Sequence, residues 1–193
     1  MTLMQRLKLE TANAHARIES EFHLPERLES RETYIALLQR LYAFHVAWEH
    51  EASAWLGEDL LNFRRKAHLL HRDIAAVGSV ADTLSTRLPG FWFVDSGAAA
   101  LGAMYVVEGS MLGGALIAKQ VKRRLGLTSE TGCAFFRAYG AELLPRWRAF
   151  GAYVDARASP SADAPFITAA NAMFEYMGLW LSRDDPRKQN RSS

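Results

Sequence analysis

The chain has 193 residues, of which 49% are hydrophobic and 23% are charged, and its formal net charge is +2. This length supports one domain with a substantial core, and the near-neutral charge argues against nucleic acid as a partner. The lone Cys133 excludes an internal disulfide and any zinc or iron–sulfur site built from several cysteines. Without a signal-peptide pattern or a run of ~20 apolar residues, the sequence predicts a cytoplasmic protein that does not enter a membrane.

Apolar residues recur at three- and four-residue steps over nearly the whole chain, which predicts helices. Thr2 and Gln5 fit a capping box that begins a first helix of about residues 2–20. A connector with Pro25 leads to a second helix, which Ser30 caps and Gly57 ends.

The same spacing predicts four more helices. In chain order they cover about 58–76, then 95–125 with Asp95 as cap, then 129–156 with a break near Gly140 or Pro145, and finally 163–183. The basic runs 64–66 and 122–124 are interpreted as solvated helix faces. No period-two alternation or linker divides the chain, so we predict an all-α fold with a single helical domain at 1–183 and a frayed tail at 184–193.

Three glycines, Gly109, Gly113 and Gly114, fall within six positions of the predicted fourth helix. Each costs about 1 kcal/mol relative to alanine inside a helix, so another interaction must offset them. Close helix–helix packing is one explanation. The other is a helix that bends over a flat ligand and brings its backbone against it, and the glycines alone favour packing.

His15 precedes Glu19 by four residues in the predicted first helix, so both side chains project from one face. A carboxylate placed there can orient a metal-binding imidazole, although an exposed pair is the more common arrangement. None of the six histidines belongs to a His-Glu-x-x-His motif or has glutamate three residues before it, which argues against a ferritin-like di-iron bundle.

Two segments together resemble the heme oxygenase family. Residues 7–19, Leu-Lys-Leu-Glu-Thr-Ala-Asn-Ala-His-Ala-Arg-Ile-Glu, resemble its first-helix motif, with a proximal histidine and a glutamate four residues later. Residues 101–114, which end in Glu-Gly-Ser-Met-Leu-Gly-Gly, resemble its distal helix, and residues 132–136 resemble a further segment. The residues of the Glu-Gly-Ser-x-Leu-Gly-Gly motif are most similar to those of bacterial members, including the members that make the bilin of bacteriophytochromes. The resemblance implies a multi-helix bundle that holds heme between the first, proximal helix and a glycine-kinked distal helix.

The resemblance also implies roles for individual residues. His15 would ligate the heme iron, while Gly109, Ser110 and Gly113 would form the catalytic distal side. The implied heme-binding residues, among them partners of the propionates and walls of the pocket, are Lys8, Thr11, Glu19, Tyr105, Gly114, Arg148, Phe174 and Trp180. Phe174 and Trp180 are equally well explained as core aromatics.

The implied reaction is oxidative cleavage of heme by O2 and reducing equivalents to biliverdin, CO and free iron, so heme is both substrate and cofactor. The implied partners are an electron donor (ferredoxin or a reductase, or ascorbate in vitro) and a bacteriophytochrome that accepts biliverdin.

Mammalian-type members have aspartate where this chain has Ser110 and arginine where it has Val106. A serine still anchors one water. Two alternatives remain, a heme carrier or sensor on the same fold and a helical interaction domain without heme.

Overall fold

Ten α-helices make up most of the computed structural model, which describes residues 1–82, 90–159 and 163–182. In chain order they are α1 Leu3–Glu10, α2 Ala12–Glu21, α3 Leu24–Arg27, α4 Arg31–Trp55, α5 Glu58–Leu61, α6 Ala67–Ala76, α7 Gly97–Ser110, α8 Gly114–Leu125, α9 Leu143–Asp155 and α10 Asp163–Ser182. The described residues contain no β-strand, which confirms the all-α class. Arg183 and the predicted tail 184–193 lie outside the described residues.

The predicted first helix is present but is divided at Thr11. The capping box is confirmed, since the Thr2 hydroxyl accepts from the Gln5 backbone and the Gln5 side chain accepts from the Thr2 backbone. Thr11, with φ −104° and ψ 2°, separates α1 from α2. Backbone hydrogen bonds from Thr11 to Leu7 (3.0 Å) and from His15 to Thr11 (2.9 Å) continue across the interruption.

The long helix α4 is capped by Ser30 as predicted and supplies much of the core. Its buried hydrophobic side chains recur at three- and four-residue steps and are Tyr34, Leu37, Leu38, Leu41, Ala43, Phe44, Trp48 and Ala52. Burying each large side chain contributes about 1.5–3 kcal/mol, which explains why this spacing dominates the sequence pattern.

Helices α7 and α10 form the most extensive helix pair. A Cβ at Gly102 would lie 2.0 Å from the Phe166 carbonyl oxygen, so only glycine permits this approach of the two backbones. Ser96, not the predicted Asp95, caps α7, because its backbone is extended and its hydroxyl accepts from the Ala99 backbone at 3.2 Å.

The segment Gly97–Leu125 is long and apolar enough to cross a membrane. However, 56% of its most apolar window is buried inside the fold, as expected of a core helix. The basic run 122–124 at the end of α8 is exposed, as predicted.

Two predicted helices are shorter than expected. Residues 62–66 interrupt the third, where the Glu49 carboxylate accepts from the backbones of Lys66 and Ala67 at 2.6 and 2.9 Å. The expected helix at 129–156 begins only with α9, because buried Asp73 accepts from the backbones of Ala134 and Phe135 and holds a 3-10 turn there. Pro145 lies in the first turn of α9, where its missing N–H is not needed, so it starts a helix instead of breaking one.

Candidate functional site

His15 lies on α2 with 56% of its side chain exposed. Its Nε2 is 3.5 Å from Oε1 of Glu19, one turn later, so the two side chains face each other as the sequence predicts. This separation is too long for a strong hydrogen bond, and the Glu19 side chain is 69% exposed. More than half of the His15 side chain is therefore open to a ligand from outside the protein.

Phe174 and Trp180 both lie on α10 but have different surroundings. The Phe174 ring meets the His15 ring edge-on, with centroids 5.4 Å apart. The Trp180 indole instead donates to the Arg40 carbonyl at 2.9 Å, which ties α10 to α4. Packing in the protein core is sufficient to explain Trp180. Phe174 instead lies beside His15, the predicted iron ligand. A contact with heme stays a prediction for both residues.

Tyr105 connects α7 to the turn between α1 and α2. Its hydroxyl is hydrogen-bonded to Thr11, which is buried just before α2 and donates its own hydroxyl to the Leu7 carbonyl at 2.7 Å. Burial raises the pKa of Tyr105, with the Thr11 hydrogen bond acting in the opposite sense, so the phenol stays neutral at physiological pH. The Tyr105 ring also packs against Trp147 of α9, at 5.6 Å between centroids.

The three clustered glycines differ in what surrounds them. A Cβ at Gly114 would lie 2.4 Å from the Phe136 carbonyl oxygen, so close backbone packing explains this glycine. A Cβ at Gly109 would make only ordinary contact with the Trp147 ring at 3.5 Å, and at Gly113 it would meet nothing within 4 Å. Packing therefore accounts for Gly114 but leaves Gly113 without a structural reason among the described residues.

The backbone changes character at these glycines. α7 gives way to a 3-10 turn at Met111–Gly113 before α8 begins, so the predicted fourth helix is interrupted where the glycines cluster. Ser110, exposed at the end of α7, donates its hydroxyl to the Val107 carbonyl at 2.8 Å and keeps its oxygen lone pairs available as acceptors.

Lys8 and Arg148 are exposed on α1 and α9, and neither forms a salt bridge within the described part of the chain. α1 and α9 pack against each other, which brings the two helices that carry these cations together. Both charges are therefore available to an anionic ligand from solvent.

The sequence analysis missed a buried ion cluster directly before Gly109. Glu108 is 3% exposed and accepts from Lys66 Nζ and from Arg64 Nη1 at 2.5 Å each, and from the Tyr139 hydroxyl at 2.9 and 3.0 Å. The interpretation of residues 64–66 as a solvated helix face is thus wrong for Arg64 and Lys66, which lie between α5 and α6 and point inward. The signal was Glu108 itself, a lone acid in an apolar run, since buried acids require partners.

Comparison with known proteins decides the family. No family model matches the chain. A curated relative named heme oxygenase, from Xanthomonas campestris pv. campestris (strain 8004), is 30% identical over 160 residues, which cover 79% of this chain and 91% of the relative. The chain belongs to the heme oxygenase family.

Solved structures of heme oxygenases support the same fold for this family member. The NO- and CO-bound heme oxygenase from Neisseria meningitidis superimposes with a TM-score of 0.80 at 24% identity, over 95% of this chain and 92% of that chain. Heme oxygenase 2 from Chlamydomonas reinhardtii, solved without heme, also gives a TM-score of 0.80, at 18% identity and over 94% and 96% of the two chains. This heme oxygenase is therefore an enzyme of a family whose fold it shares over nearly its full length.

The side chains suit a flat iron porphyrin as the ligand of a heme oxygenase. A partly exposed imidazole and a phenyl ring lie together at His15 and Phe174. In the 3-10 turn between α7 and α8, a Cβ on Gly113 would meet nothing within 4 Å, so a planar ring could approach this backbone closely.

Proposed function

We propose that this heme oxygenase binds heme between α2 and the α7–α8 segment and opens its porphyrin ring with O2 and reducing equivalents, releasing biliverdin, CO and iron. Family membership supports the reaction. The observation that carries the placement is Gly113, a glycine in a helical segment whose Cβ position no described atom approaches within 4 Å.

On the proximal side, His15 would ligate the iron, which supplies the oxygen chemistry when heme is bound. One imidazole nitrogen would face the iron while the other faces Glu19. Glu19 would act on His15 as carboxylates act on metal-bound histidines elsewhere, fixing the tautomer and the ring orientation. Because Glu19 is exposed and 3.5 Å away, it would orient His15 through a weak interaction only.

On the distal side, backbone at Gly109 and Gly113 would lie against the ring and exclude bulky acid–base side chains. Protons would then arrive through ordered water. Ser110 is the side chain proposed to anchor such a water, through the lone pairs that its bond to Val107 leaves free.

Around the ring edge, Lys8 and Arg148 would pair with the heme propionates, with Tyr105 near the same edge. Thr11 would hold Tyr105 in place, while Phe174 would form part of the wall beside His15. For Gly114 and Trp180, packing against Phe136 and Arg40 is the better-supported role.

The electron donor follows from the reaction, whereas the bacteriophytochrome rests on the similarity of the motifs to those of bacterial members. The enzyme needs an electron donor, which we propose to be a ferredoxin or a reductase, and a cytoplasmic location where a bacteriophytochrome could accept the product. Chromophore transfer to an apo-bacteriophytochrome would test the latter partner, and its failure with authentic product would contradict that partner alone.

The test of the reaction is an absorbance time course of the protein with one equivalent of hemin, followed by ascorbate in air with catalase present. Catalase removes free hydrogen peroxide, so ring opening by that route is suppressed. Loss of the Soret band with growth of a red-absorbing bilin is expected. A Soret band that survives both ascorbate and a ferredoxin–reductase pair would instead favour the heme carrier or sensor.

A further inference from the structure

A cavity lies beside the Glu108 cluster, with Lys66 and Tyr139 in its wall. It measures about 240 Å³ and is formed by the segment between α5 and α6, the start of α6, and the chain leading into α9. Its walls include Phe63, Arg65, Lys66, Tyr139 and Arg146. One water needs only roughly 10–15 Å³ of such space, so this volume accommodates a small organic molecule.

Positive charge predominates on the cavity walls. Arg65, Lys66 and Arg146 line it, together with His68, and Glu142 is the one acidic residue among the described lining residues. Lys66 is paired with Glu108, and Arg65 forms a half-exposed ion pair with Glu58. Arg146 has no carboxylate within salt-bridge distance in the described part of the chain, so none of the described acidic residues pairs with it.

Arg146 also has a buried donor without an acceptor. Its Nε is buried and makes no hydrogen bond to the described residues, while Nη1 makes only a long contact of 3.5 Å with the Phe63 carbonyl. The guanidinium carbon lies 5.7 Å from the Phe63 ring centre and 5.3 Å from the Tyr139 ring centre. Two rings thus hold the guanidinium in place. The Nε is buried, so a carboxylate in the cavity would meet the terminal Nη groups instead.

The cavity also has an apolar wall next to the Arg146 guanidinium. Leu69 and Ala138 line it, and the Phe63 ring stands 69% exposed beside the unpaired guanidinium. An anion with a flat apolar body would cover the Phe63 ring while its charged end meets Arg146, whereas an inorganic oxyanion would leave the ring exposed.

We propose that this cavity binds a small organic carboxylate, with the carboxylate on the Arg146 guanidinium and the apolar body against Phe63. The site is separate from the proposed heme site and does not depend on it. Lys66 and Tyr139 belong both to the cavity wall and to the Glu108 cluster, so an occupant would contact the groups that hold the residue before Gly109.

The experiment is a fluorine NMR titration of the full-length protein with 4-fluorobenzoate, using 4-fluorobenzamide as the neutral isostere and inorganic phosphate as a competitor at constant ionic strength. Saturable binding of the benzoate is expected, with the benzamide at least tenfold weaker and phosphate unable to displace it. Arg146→Gln should weaken binding at least tenfold, and Glu142→Gln should strengthen it, because it removes the one acid. Arg72→Gln is the matched control, since Arg72 is exposed on α6 outside the cavity and its substitution removes the same charge.

Several results would overturn the proposal. Equal affinity of Arg146→Gln and the unsubstituted protein would do so, provided that the variant keeps a cooperative unfolding transition; if it does not, Arg146→Lys is used instead. Equal binding of the benzamide would mean an apolar crevice only, and displacement by phosphate would mean a simple oxyanion site. Displacement by one equivalent of hemin would place the probe at His15 instead.

Discussion

The Glu108 carboxylate and the Lys66 ammonium form a buried ion pair, 2.5 Å apart, with 2% and 1% of their side chains exposed. Glu108 is the last residue before Gly109, and Lys66 comes from the segment between α5 and α6. The pair therefore fixes the end of α7 to a distant part of the chain.

Removing one member of this pair should destabilise the protein strongly. In Lys66→Met the Glu108 carboxylate loses one of its two cations and keeps Arg64. Breaking a buried pair typically costs about 3–5 kcal/mol. Urea unfolding of Lys66→Met, compared with Arg65→Met at the partly exposed neighbouring position, measures the effect. A loss below about 1 kcal/mol for Lys66→Met would contradict the importance of the pair, since exposed pairs contribute about that much.

His45 should make stability depend on pH. Burial lowers the pKa of His45 well below its ordinary value, with the Lys66 charge acting in the same direction; Glu49, 4.0 Å from Nδ1, is the facing acid. The folded state therefore keeps His45 neutral, while the unfolded chain takes up a proton below about pH 6.5. The stability that His45 contributes is present above that pH and is lost as the pH falls, by at most about 1.4 kcal/mol per pH unit.

Unfolding free energies between pH 7.5 and 5 measure this dependence. The slope between pH 6.5 and 5 should be reduced in His45→Gln and unchanged in His50→Gln, which alters an exposed histidine of the same helix. The comparison uses slopes, so it holds even if His45→Gln is less stable overall. Identical slopes in all three proteins would contradict the neutral state of buried His45.

A structural feature could be predicted when the residues that determine it lie close together in the sequence. Local signals were sufficient for the helix that Ser30 caps and for the Thr2 capping box, because their determinants lie within four residues. They were insufficient near Ala134. There the carboxylate of Asp73, some sixty residues earlier in the chain, accepts from the Ala134 backbone and holds a turn where a helix was predicted. Spacing along one helix predicted that His15 and Glu19 face each other, while their role in binding heme stays a prediction. Arg64 and Lys66 were misinterpreted because only the fold brings Glu108 to them.

Alanine substitutions at Gly114 and Gly113 should distinguish a glycine required for packing from a glycine required for contact with heme. Gly114→Ala places a Cβ against the Phe136 carbonyl and should destabilise the protein by about 1–3 kcal/mol. Gly113→Ala meets no neighbouring atom within 4 Å and should be neutral or stabilising by up to about 1 kcal/mol. Hemin titration should nevertheless show weaker binding for Gly113→Ala; unchanged binding and turnover would contradict the placement of heme against this backbone.

Ser110→Ala should reduce turnover modestly. One hydrogen bond to a water contributes about 1 kcal/mol, so a roughly fivefold slower ring opening is expected, with little change in heme affinity. Single-turnover kinetics and the isomer composition of the bilin measure both consequences. A rate equal to that of the unsubstituted enzyme would exclude Ser110 from proton delivery.

The central claim is that His15 holds the iron of the heme that this enzyme cleaves. Optical and electron paramagnetic resonance spectra of the ferric complex, taken for the unsubstituted protein, His15→Ala and the exposed-histidine control His50→Ala, test it most directly. We expect an axial-histidine signature in the first and third proteins, its loss in His15→Ala together with ring opening, and its partial return on adding imidazole. An unchanged signature and unchanged bilin formation in His15→Ala would contradict the assignment of His15.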